Sequence, residues 1–264
     1  MTRRLLATAA LAAGLAGCSG LEAPDGVFAL QFDRLPSPAV VAGDTLRDSL
    51  GVAVPLGARA FDQAGNELPD APIAYLALDR GVTITAEGRL VADSGAAGTS
   101  AELVATVAGL QSRKLAVLVT LPPDTLRADG AVPTITYSPV PGDARNTSGD
   151  LRVALRTFTP RAAAPSDSAV RGWRVTWRLV RGARAAIAES TRLEPSAHAA
   201  GAAGLDTTDA QGIAARRVRV VPVLGAAGED TVIVEAAATY RGQPVPGSPV
   251  RFLVPLQRFV PTAP

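Results

Sequence analysis

The chain has 264 residues, 47% of them hydrophobic, with one cysteine, one histidine and a formal net charge of +2. That apolar mass is enough to bury a core, which excludes disorder over most of the length, and the length suits one or two domains. The single cysteine excludes an internal disulfide, an iron–sulfur site and a multi-cysteine zinc site, and the single histidine excludes a His-rich metal centre.

At the amino end, Arg3 and Arg4 precede an uncharged apolar run, Leu5 to Gly14. This run falls short of the roughly 20 residues that span a bilayer, so it reads as an export signal over residues 1–17. The signal ends in Leu15-Ala16-Gly17-Cys18, which resembles the lipobox of bacterial lipoproteins. The resemblance implies cleavage before Cys18 and lipidation (palmitate among the acyl chains) of that residue. Several acyl chains at about 0.8 kcal/mol per buried CH₂ anchor a protein stably in a lipid bilayer. In lipoproteins an Asp after the cysteine causes retention in the inner membrane. Ser19 in that position therefore implies outer-membrane sorting, with the side of the membrane left open. Residues 18–26 are small and polar and read as a lipidated tether.

Beyond the tether, short apolar runs with period two alternate with Gly, Pro, Asp and Asn, the pattern of antiparallel strands. In residues 27–121 the runs are Phe28 to Phe32, Leu56 to Ala60, Ile73 to Leu78, Val82 to Ile84, Leu90-Val91, Leu103 to Val107 and Leu115 to Leu121. In residues 122–258 they are Leu151 to Leu155, Trp173 to Leu179, Ile213 to Val223, Thr231 to Tyr240 and Val250 to Val254. Two stretches there, Thr159 to Gly172 and Arg181 to Gly212, read as long loops, and residues 259–264 as a tail. Pro122-Pro123 stiffens the boundary between the two sets, because proline fixes φ and cannot donate to a ladder.

The first set resembles the bacterial immunoglobulin-like domains of surface proteins. The resemblance lies in Ala42-Gly43-Asp44-Thr45, Ala60-Phe61-Asp62 with Gly65-Asn66, Pro72-Ile73-Ala74-Tyr75 and Ala86 to Ala92. The second resembles the invasin/intimin type through Trp173 to Trp177, Asp209 to Ala214 and Tyr240-Arg241-Gly242-Gln243-Pro244-Val245. These likenesses imply an all-β fold of two tandem Ig-like antiparallel β-sandwiches, 27–121 and 122–258. The superfold hosts adhesins, spacers and carbohydrate binders alike, so it does not name a function.

Candidate chemistry is sparse. His198 lies two residues from Ser196 with no nucleophile elbow around it, and reads as a loop histidine. Trp173 and Trp177 share one strand face with Val175 and Leu179, opposite Arg174, Thr176 and Arg178, and so read as core. Asp62, Asp70, Asp79, Asp206 and Asp209 lie near strand ends in no calcium-loop spacing and read as turn formers. Catalytic residues, metal ligands and cofactors are therefore not expected.

Charge is uneven along the chain. Residues 1–17 carry +2; residues 18–121 have 7 basic and 12 acidic side chains, and residues 122–264 have 17 and 12. Arg174 and Arg178 on one predicted strand, with Arg217 and Arg219 on another, are candidates for a basic partner-binding face. Three readings of this charge compete: a solvated strand face, a contact for an envelope protein or anionic polysaccharide, and attraction between an acidic first and a basic second half. Export argues against nucleic acid. The expectation is a non-catalytic, lipid-anchored envelope protein, or alternatively a carbohydrate-binding accessory module.

Overall fold

The computed structural model describes residues 26–140, 142–159, 166–196 and 203–260. The signal segment, Cys18, the tether as far as residue 25 and His198 lie outside the described residues. In the first block the strands are β1 (Ala29–Gln31), β2 (Ala39–Val41), β3 (Arg59–Phe61), β4 (Ala74–Ala77), β5 (Val82–Ile84), β6 (Leu90–Ala92), β7 (Ser100–Val107), β8 (Leu110–Gln111) and β9 (Leu115–Thr120). The second block holds β10 (Thr125–Ala128), β11 (Ile135–Tyr137), β12 (Leu151–Thr159), β13 (Ser166–Ala169), β14 (Arg174–Arg181), β15 (Ala188–Pro195), β16 (Leu205–Thr207), β17 (Ile213–Pro222), β18 (Asp230–Ala237), β19 (Thr239–Tyr240), β20 (Gln243–Pro244) and β21 (Val250–Arg258). Among the described residues, no helix is long and apolar enough to cross a membrane. The fold is all-β.

Strands pair only within their own block. In the first, the sheet β2-β9-β7-β4, with β8 on β7, faces two small sheets, β1–β3 and β5–β6. Leu103 and Val117 from the large sheet meet Val82 and Leu90 from the opposite layer, so alternate residues of each strand fill one core. In the second block, β10-β12-β17-β15, with β13 on β12, faces β11-β21-β18-β14-β16. Leu155 and Val218 of one sheet pack against Val234 and Val254 of the other. Trp177 stacks on Phe252 there, with ring centroids 5.9 Å apart.

Both blocks follow one plan. The two entering strands go to different layers, and the second of them runs parallel to the last strand of the block: β2 beside β9, β11 beside β21. The other pairings are antiparallel.

The stretches read as long loops are partly strand. Arg181 to Gly212 contains β15 and β16, and Thr159 to Gly172 contains β13. All three are edge strands. An edge strand with only one neighbour tolerates polar residues on both faces, so β15, Ala188-Glu189-Ser190-Thr191-Arg192-Leu193-Glu194-Pro195, lacks apolar alternation. The turn readings of Asp62 and Asp209 agree with the hydrogen bonds. Asp62 accepts from the Asn66 backbone N–H (2.8 Å), and Asp209 accepts from those of Gln211 (2.8 Å) and Ile213 (2.9 Å).

Candidate functional site

Among the described residues, a dense polar network lies where the two blocks touch. The turn Ala42-Gly43-Asp44-Thr45 leaves β2 with Gly43 at φ +75°, and the Asp44 N–H closes it on the Val41 carbonyl at 2.9 Å. This turn aims the Asp44 carboxylate at the second block, where it is 8% exposed. Oδ1 accepts from the Thr45 N–H (2.8 Å) and Arg47 Nη2 (3.0 Å). Oδ2 accepts from Arg47 Nε (3.2 Å), the Tyr240 hydroxyl (2.9 Å) and Arg241 Nε (3.0 Å). Burial pushes this carboxyl up, but the donors from Arg47, Arg241, Thr45 and Tyr240 outweigh it and hold Asp44 well below the usual carboxylate range. Burial and the facing carboxylate push the Tyr240 hydroxyl up to about 12.

Tyr240 and Arg241 are presented by the β19–β20 hairpin. Its two-residue turn has Arg241 at φ +50° and Gly242 at φ +74°, the doubly positive pattern that suits the twist of a tight hairpin. An arginine in this region is uncommon; here its guanidinium is bound to Asp44 of the other block. The loop carrying Gly51 passes the hairpin at backbone contact. A Cβ on Gly51 would overlap the Gly242 nitrogen, and one on Gly242 would lie 3.2 Å from the Leu50 carbonyl oxygen. Three further contacts cross the boundary. The Arg171 N–H donates to Thr120 Oγ1 (3.2 Å), and Arg174 Nη1 donates to the Pro36 carbonyl (2.8 Å). Gly172 sits where a Cβ would come 2.9 Å from the Leu118 side chain.

Between these contacts lies a cavity of about 400 Å³. Ala39 and Val41 of β2 form part of one wall, and Trp173 and Tyr240 part of the other. The two rings meet edge to face with centroids 5.7 Å apart, and Trp173 Nε1 donates to the Thr239 carbonyl at 3.2 Å. The charged residues lining the cavity are Arg47, Arg174 and Arg241 against Asp44 and Asp48.

The four arginines singled out from the sequence do not share a face. Arg174 and Arg178 are on β14, while Arg217 and Arg219 are on β17, and these strands belong to different sheets of the sandwich. Both pairs alternate with core residues, so they point outward from opposite layers. Arg178 pairs with Glu235 at 2.6 Å and Arg217 with Asp150 at 2.7 Å, while Arg219 lies 3.8 Å from Glu194. Arg174 turns instead to the first block, where burial pushes its guanidinium below its ordinary value. Of the two tryptophans, Trp177 is core. Trp173, expected beside it, is half-buried and reaches the cavity, because it precedes β14 and stands at the end of the sheet. Among the described residues the one ion pair across the boundary is Asp44–Arg241.

Sequence reasoning also missed Arg216. It reads as one more surface arginine beside Arg217 and Arg219, yet it is fully buried. It pairs with Asp206 at 3.0 Å and donates to the carbonyls of Ala203 (3.1 Å) and Leu205. Asp206 also accepts from the Ala215 N–H at 2.8 Å. The pair joins β17 of one sheet to β16 of the other. Its only sequence signal is parity: Arg216 shares the inward face of β17 with Ala214, Val218 and Val220.

Neither a family model nor a curated protein matches the chain. Solved structures resemble it at low similarity. The adhesin InvE of Yersinia pseudotuberculosis is 16% identical with a TM-score of 0.31, over 82% of this chain and 56% of that one. Domains 5–6 of the S-layer protein SbsC are 12% identical with a TM-score of 0.30, over 89% and 99%. The endo-fucoidan hydrolase MfFcnA9, of glycoside hydrolase family 107, is 12% identical with a TM-score of 0.35, over 88% and 34%. The chain thus spans about half of the InvE chain and a third of the hydrolase. Likeness of this size does not indicate function.

Proposed function

We propose that this chain is a non-catalytic, lipid-anchored envelope protein in which two tandem Ig-like domains, 27–121 and 122–258, act as one presenting unit. The observation that carries the reading is Leu15-Ala16-Gly17-Cys18 at the end of a basic-then-apolar leader, in a chain with one cysteine. Acylated Cys18 holds one end at a bilayer, with Ser19 directing it to the outer membrane. The tether clears the headgroups, and the Asp44–Tyr240–Arg241 junction fixes how the second domain is displayed relative to the first. Growing cells with an alkyne palmitate analogue tests the anchor. The wild-type chain takes up label and partitions with membranes; Cys18→Ala takes up none and is recovered in the aqueous fraction. Label retained by Cys18→Ala overturns the reading.

A second reading, a carbohydrate-binding module, is favoured by one observation: Trp173 is half-buried at a cavity wall, at the margin of the core instead of enclosed in it.

A further inference from the structure

The inter-domain cavity has a feature that domain packing alone does not explain. Three arginines and two aspartates line it. Asp44 is satisfied by Arg47, Arg241 and Tyr240, and Asp48 accepts the backbone N–H groups of Leu50 and Val52, both at 2.9 Å. Arg174 is different. It is half-buried, its one hydrogen bond among the described residues goes to the neutral Pro36 carbonyl, and no carboxylate of the described residues forms an ion pair with it. A guanidinium shielded from water without a counter-charge is costly to the fold, and an incoming anion would remove that cost. Arg174 also borders a second, adjoining cavity of about 310 Å³, where Asp33 and Asp206 stand beside Arg34, so the side free for an anion is the 400 Å³ cavity.

The rest of the wall narrows the ligand class. Trp173 and Tyr240 offer amphipathic ring surface, suited to the C–H face of a pyranose. Ser37, Thr45, Ser49 and Thr176 bring hydroxyls that can exchange hydrogen bonds with ring hydroxyls. A volume of about 400 Å³ lies within the range of small-ligand sites, roughly 300–1,000 Å³. An extended peptide would instead need an open strand edge along the cavity; of the large sheets' edge strands that reach it, β2 is buried along its whole length and β16 contributes Leu205 alone.

We propose that the cavity between the two domains binds a carboxylate-bearing saccharide, a uronic acid unit or a short run of them. Arg174 holds the carboxylate, and Trp173 and Tyr240 hold the sugar ring. The proposal develops the carbohydrate reading into a site and does not depend on lipidation, so palmitate labelling and ligand binding fail independently.

The test uses the full chain in detergent. Both tryptophans lie in the second domain and only Trp173 lines this cavity, so Trp177→Phe leaves Trp173 as the fluorescent reporter. Trigalacturonic acid should give a saturable change in Trp173 fluorescence. A neutral galactose trisaccharide and a dipeptide with a free carboxylate should each bind at least about tenfold more weakly. Arg174→Gln should weaken the acidic ligand at least about tenfold, while Arg174→Lys keeps most of the binding. Absence of a saturable change, equal binding of the neutral sugar, tighter binding of the dipeptide, or Arg174→Gln within twofold of wild type would each overturn the proposal. The acidic-against-neutral comparison needs no substitution at Arg174, so it decides even if Arg174→Gln does not fold.

Discussion

The first block builds one layer of its sandwich from two separate two-stranded sheets, β1–β3 and β5–β6; the second closes two five-stranded sheets on each other. The main cores follow suit, with 13 buried apolar residues in the first and 23 in the second among the described residues. Each fully buried aliphatic or aromatic side chain contributes about 1.5–3 kcal/mol, so the second block carries the larger hydrophobic reserve. That reserve accompanies a buried ion pair, Arg216–Asp206, of a kind absent from the described first block, where ion pairs other than those of Asp44 join half-exposed side chains. A plan with the same entering and closing strands therefore tolerates a broken second layer. The first block leans its β2 side, Ala39 to Val41 with Asp44, on the second.

The largest expected effect comes from breaking what is special to the second block. Arg216→Met leaves Asp206 buried without its cation and should cost about 3–5 kcal/mol. Guanidinium unfolding followed by tryptophan fluorescence reads this block selectively, since Trp173 and Trp177 both lie in it. A loss below about 1 kcal/mol would mean that the pair does not join the sheets.

Next is the junction on which the first block leans. Gly51→Ala drives a Cβ into the Gly242 backbone and should separate the two loops. The expected result is a larger radius in solution scattering and two resolved unfolding transitions. An unchanged radius would show that the loops relax locally.

A smaller, pH-dependent effect tests the same junction. The Tyr240 hydroxyl is raised from 10.0 to about 12, so its contribution is complete below pH 10 and is lost as pH rises through about 12. The Asp44 carboxyl is lowered, so its contribution is present above about pH 4 and lost only as pH falls toward its lowered folded value. The junction should therefore hold through neutral pH and loosen between pH 10 and 12. Tyr240→Phe should abolish that alkaline step in scattering or proteolysis, and a step that persists would assign it to another group.

The smallest effect is expected at Arg178. Its side chain is 75% exposed although it pairs with Glu235, and exposed pairs contribute about 0–1 kcal/mol. Arg178→Ala should shift the denaturation midpoint by no more than that allows. A larger shift would mean that the outer face of β14 carries more stability than its exposure suggests.

Much of the strand order was legible because burial repeats every two residues, a local property. Leu103 to Val107, Leu151 to Leu155 and Ile213 to Val223 announce themselves in this way, and the strands form there. β15 and β13 did not, because edge strands have polar residues where a central strand would show alternation. The basic face was half-legible. Parity correctly sends Arg174 and Arg178 away from the β14 core, but parity within one strand says nothing about which sheet another strand joins, so Arg217 and Arg219 end on the opposite layer.

The sequence by itself determined the all-β class and most inward-facing residues of the central strands. These follow from neighbouring residues, whose alternation and composition act within a few positions of the chain. Tertiary structure alone decided that Asp44 meets Tyr240 and Arg241, 196 and 197 residues away, that Arg216 is buried, and that Arg174 lies at a cavity wall bonded to the neutral Pro36 carbonyl. An arginine has the same letter in water, in an ion pair or beside a neutral carbonyl. Its environment is set by which strands become neighbours, and that is a property of the assembled sheets.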